Sequence, residues 1–132
     1  MSPATPNTER YDQSALRHFR DATYLAKDAR WDGAGHLVGF AAESALKHAI
    51  ASLRPGQDVP HKHFPELITI AKKHIQLKNH RGIRTLLDFA DYFAGWKIDD
   101  RYSADGTVSS KAYDLWRDHA TRTISAAGLR ST

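Results

Sequence analysis

The chain has 132 residues, of which 41% are hydrophobic and 26% charged, the profile of one globular domain with an adequate core. It has no cysteine, which excludes disulfides, thiolate-bound zinc and thiol catalysis and suits a cytoplasmic protein. A formal charge of +4 permits contact with nucleic acid without demanding it.

Residues 1–7 include Pro3 and Pro6 and are expected to form a disordered arm. The same polar start has no apolar h-region, so no secretory signal is expected, and no apolar run approaches a membrane span. From about Thr8 to Ala29, the residues Ala15, Phe19, Ala22, Ala26 and Ala29 fall on one helical face. Asp32 is placed to cap a second helix, from about Gly33 to Leu53. RPGQDVPH, residues 54–61, reads as a loop.

A third helix is predicted near Pro65, with Glu66 complementing its dipole. Its stripe is Phe64, Leu67, Ile68, Ala71 and Ile75. A fourth follows KNHRG, carrying Ile83, Leu86, Leu87, Ala90 and Phe93. KIDDRYSADGTVSS, residues 97–110, reads as a polar loop. Ser109 or Ser110 can cap the last helix, whose inner face would be Ala112, Leu115, Trp116, His119, Thr123 and Ala127, with Gly128 ending it. No strand alternation, repeat or low-complexity tract is evident. The expected fold is all-α, an up-and-down bundle of four to five antiparallel helices over residues 8–128, with residues 129–132 as a tail.

The second helix is apolar on most sides and so belongs at the centre. Gly35 and Gly39 lie one turn apart, each costing roughly 1 kcal/mol against alanine; small residues in line let another helix come close. His36, Phe40, Glu43 and Lys47 share a second face. That row is either an exposed seam with a routine Glu43–Lys47 pair, which spacing alone favours, or the wall of a polar cleft.

Trp31, then GHLVGFAAESALKHAI (residues 35–50), then His61 and His63 leading into FPEL, then WKIDDRYS (residues 96–103) before the final helix, together resemble the HEPN superfamily of small bacterial helical domains. The resemblance spans about Leu16 to Ala127 and is most specific in the second helix. It implies a helical bundle, often dimeric, and members that are metal-independent ribonucleases, toxins of toxin–antitoxin pairs or inert binding modules. Active members carry an arginine, four to six further residues, then a histidine near the start of the last helix. The arginine can stabilise phosphorane-like charge and the histidine can act as acid or base. Arg101 occupies the arginine's place. The histidine would fall at 106–108, where Gly106, Thr107 and Val108 stand. Arg30 with His36, and Arg54 with His61, have similar spacing but lie near the second helix, where chance explains them among eight histidines.

His61 and His63 flank Lys62; a metal would need a third ligand such as Asp58 or His36, and a loop-holding hydrogen bond is the favoured role. Asp99, Asp100, Arg101 and Tyr102 form either a local cluster or a group that folds over Glu43 and Lys47. Lys72, Lys73, Lys78, Arg81 and Arg84 make a solvated basic patch, with phosphate contact as the alternative. No cofactor or metal is called for.

The leading expectation is therefore a non-catalytic or weakly catalytic HEPN-like binding module that recognises RNA, a nucleotide or a protein encoded nearby, in bacterial defence or a toxin–antitoxin pair. A homodimer is expected. Glu43, Lys47, Arg101 and Tyr102, with His36, would line its cleft. One alternative is a metal-independent endoribonuclease in which Arg101 binds phosphate and His36 or His119 moves the proton; the other is a structural subunit of a larger assembly.

Overall fold

The computed structural model describes residues 10–129, leaving aside the side chain of Arg101. Among these residues the chain is all-helical: α1 Tyr11–Lys27, α2 Trp31–Leu53, α3 Glu66–His74, α4 Arg81–Leu87, a 3-10 turn Ile98–Tyr102, and α5 Ser110–Ala126. No described helix is long and apolar enough to cross a membrane. The expected N-terminal arm, residues 1–7, lies outside the described residues.

α2 is the central element. It packs along α1 on one side and α5 on another, with α3 and the 3-10 turn also against it. Val38, Leu46 and Ile50 are fully buried, each contributing about 1.5–3 kcal/mol of burial. Phe64, Leu67, Ala71 and Ile75 of the predicted α3 stripe join that core, as do Trp96, Tyr113 and Trp116. A smaller cluster of Ala15, Ala41, Ala45 and Ile124 seals α1 to α2 and α5, and Leu129 packs on it. Gly128 ends α5 at φ +80°, and the Leu129 amide returns to the Ile124 carbonyl at 3.0 Å, so residue 129 belongs to the helix end.

Four local expectations change. Asp32 does not cap α2: it sits in the first turn, Arg30 precedes the helix, and the carboxylate reaches across the molecule to accept from the Gly106 and Val108 amides, both at 2.8 Å. The fourth helix stops at Leu87; residues 88–95 are turns, Ala90 is exposed, and Phe93 is buried with φ +51°. The predicted polar loop contains the 3-10 turn. The inner face of α5 is also rotated relative to expectation, since Tyr113, Ala120 and Ile124 are buried. Ser109 is the α5 cap, accepting from the Ala112 amide at 3.0 Å.

The glycines of α2 admit an indole where a second helix was expected. Trp96, from the turn segment, lies against Gly39 so closely that a Cβ there would overlap its ring. Its Nε1 donates to the Gly35 carbonyl at 2.9 Å. A Cβ on Gly35 would come 2.9 Å from Val108 Cγ1 and 3.0 Å from Trp116.

Candidate functional site

One turn beyond this seam, Glu43 is 2% exposed. Its carboxylate does not pair with Lys47 in a solvent seam. Oε1 lies 2.8 Å from His63 Nδ1, and Oε2 accepts the Phe64 amide at 2.7 Å. Burial pushes the Glu43 carboxyl upward, and the bonds from His63 and Phe64 oppose that rise. A buried carboxylate without such donors would be expensive. These two bonds anchor the loop before α3 onto α2, the loop-holding role expected for a histidine there.

The Glu43–His63 pair borders an open cavity of about 560 Å³ between α1, α2 and that loop. Arg17 and His18 of α1 face Phe40, Ser44 and Lys47 of α2 across it. The Ser14 and Ser44 hydroxyls lie 3.1 Å apart and bridge the two helices. Arg10, at the rim, is paired with Asp12 at 2.9 Å, and that guanidinium holds the Asp12 carboxyl at about 2. The His18 imidazole is held below its ordinary value by burial, with Arg17 adding to the effect. Phe40 separates the two histidines, with ring centroids 5.8 Å from His18 and 5.9 Å from His63. Besides the Asp12-paired Arg10, the walls thus carry the cations Arg17 and Lys47, an aromatic face, and a histidine oriented by a buried carboxylate.

The structure brings together Glu43 and Lys47 of the sequence-predicted cleft. His36 packs instead on Trp96 and Phe40, at 5.6 and 4.6 Å between centroids. Tyr102 is 78% exposed on the 3-10 turn. Neither His36 nor Tyr102 lines the cavity. The expected approach of Arg101 to Glu43 falls on a side chain outside the described residues. His119 is 3% exposed; its Nδ1 accepts the Phe93 amide at 3.2 Å and its Nε2 lies 3.8 Å from Asp91. It fixes the left-handed turn at Phe93, and burial lowers its proton affinity. Within the basic patch, Arg84 is committed to the end of α3, donating to the Lys72 and Ile75 carbonyls at 3.1 and 3.2 Å.

Arg17 and His18 were missed as site residues, and Phe40 was placed on the possible cleft wall without being named as a site residue. Their signal was present: Arg17 and His18 sit on the polar flank of α1, and Phe40 shares the Glu43 row. Nothing local says that those flanks meet. Among the described residues no group of three or more His, Cys, Asp or Glu is arranged to hold a metal ion. No family model matches the chain, and no curated protein or solved structure matches it either.

Proposed function

We propose that this chain is a HEPN-like binding module, an up-and-down bundle working as a homodimer, that captures a phosphate-bearing ligand, RNA or a nucleotide, in the cavity between α1 and α2. The observation that carries the reading is the convergence of Arg17, Lys47 and the Glu43-oriented His63 on one open cavity beside Phe40. The cations suit phosphate oxygens and the aromatic ring suits a base. A volume of about 560 Å³ lies within the range of small-ligand sites. The bacterial defence or toxin–antitoxin setting follows from the resemblance of the second helix alone.

Binding is favoured over cleavage by the state of the loop before α5. Where the resemblance implies a histidine stand Gly106, Thr107 and Val108, whose side chains cannot carry a proton near neutral pH, and Gly106 and Val108 give their amides to Asp32. That segment is occupied in holding the fold.

The test is fluorescence anisotropy with a labelled single-stranded RNA and a labelled adenine nucleotide, in EDTA, across a salt series. Saturable binding is expected for one of them. Lys47→Ala and Arg17→Ala should each weaken it and lower the salt slope by about one. Absence of binding, or binding indifferent to both substitutions, overturns the reading. RNA recovered as fragments in an Arg101-dependent manner would replace it with the ribonuclease.

A further inference from the structure

The two ring nitrogens of His63 are not equivalent. Nδ1 is engaged by Glu43 Oε1 at 2.8 Å. The same carboxylate is fixed through Oε2 to the Phe64 amide at 2.7 Å, in the residue that follows His63. The imidazole is therefore held from both its side chain and its backbone. A carboxylate on Nδ1 selects the tautomer with the proton there and leaves the lone pair on Nε2. Yet the His63 side chain keeps 43% of its exposure and borders the cavity with Arg17 and Lys47. An imidazole with a carboxylate on its Nδ1, on the wall of a cavity that Arg17 and Lys47 also line, is the arrangement of an oriented nucleophile at an anion site.

We propose that His63 is a phosphoryl acceptor, its Nε2 attacking the phosphorus of a small phosphoryl donor that Arg17 and Lys47 hold, with Glu43 as the positioning residue. The proposal rests on the cavity being an anion site. In the step, the Nε2 lone pair forms the N–P bond. The bond from phosphorus to the leaving group breaks, and its electron pair departs with that group. When the donor is phosphoramidate, the leaving group is ammonia. The proton on Nδ1 stays between the ring and Glu43, whose charge balances the imidazolium.

The chain carries its own comparison. His61 is exposed in the same loop, two residues earlier, and Glu43 bonds to His63 and not to it. The full chain is incubated with phosphoramidate at neutral pH, and acid-labile phosphohistidine is followed at each histidine by peptide mass spectrometry. Labelling at His63 should exceed that at His61 by about tenfold, the scale of an oriented histidine over a free one. It should saturate with phosphoramidate and be slowed by inorganic phosphate. Glu43→Gln should slow His63 while leaving His61 unchanged. The wild-type comparison stands even if that variant fails to fold. Equal labelling of the two histidines overturns the proposal. If inorganic phosphate still binds, by calorimetry, the anion site survives that failure. If phosphate does not bind, the site fails with it.

Discussion

Two neighbouring regions of α2 treat space in opposite ways. At Gly35 and Gly39 the helix is stripped of side chains and the gap is filled: the Trp96 indole lies on Gly39, and its one polar atom is satisfied by the Gly35 carbonyl. One turn on, at Glu43, the helix carries a long polar side chain and the gap stays open as the cavity shared with α1. The seam closes because small residues leave room for a large flat ring. The cavity persists because the buried carboxylate is satisfied from another segment, by His63 and the Phe64 amide. A polar group can sit at a helix interface without collapse only when such donors are supplied.

The seam should break hardest. Trp96→Ala removes the filling ring and the extra donor that the Gly35 carbonyl receives from the indole, and should cost about 3–5 kcal/mol in urea unfolding. A loss under about 1 kcal/mol would mean the indole is not what closes α2. Gly39→Ala, whose Cβ would overlap that indole, should cost about 1–3 kcal/mol. Gly35→Ala has contacts near 2.9 Å and should cost less than Gly39→Ala; the reverse order would put the tight point at Trp116 instead.

Acid should separate the two regions by pH. The Asp32 carboxyl is held below its ordinary value by the Val108 and Gly106 amides. Its stabilising contribution is present above the ordinary carboxylate range and is lost as pH falls through the depressed value. His18, on the cavity, is held below the ordinary histidine value by burial. Its contribution is complete above about 6.5 and is lost as pH falls through its own lowered value. Asp32→Asn should therefore flatten the lower, carboxylate limb of an acid-unfolding curve followed by circular dichroism. His18→Gln should flatten the upper limb. Exchange of those two effects would reverse the assignment.

The smallest effect on stability belongs to the cavity wall. Lys47→Ala should move the urea midpoint by no more than about 0.5 kcal/mol, because no packing depends on its ammonium, while weakening ligand binding. A larger destabilisation would make Lys47 a structural residue.

Much of this was legible in the sequence. The α3 stripe from Phe64 to Ile75, the Ser109 cap and the inward aim of His119 follow from a period of 3.6 and from cap chemistry, which are local. Local rules failed at Asp32, which has the right chemistry for a cap and spends it on amides 74 and 76 residues away. They failed also beyond Leu87, where apolar spacing continues but the chain turns, and Phe93 takes a left-handed conformation fixed by His119. The candidate site was half visible, because Glu43 and Lys47 share a helix with one another but not with Arg17, His18 or His63.

The sequence by itself determined where the first three helices and the last one lie, that α2 lies at the centre, and that its glycines make room for a close neighbour, since backbone propensity and side-chain periodicity act over a few residues. Only the tertiary structure decided which neighbour arrives and which histidine Glu43 holds. Both contacts join residues far apart in the chain, Trp96 to Gly35 across 61 positions and His63 to Glu43 across 20. Such pairings are set by how whole helices pack, where burying a ring or satisfying a carboxylate outweighs what any short stretch prefers.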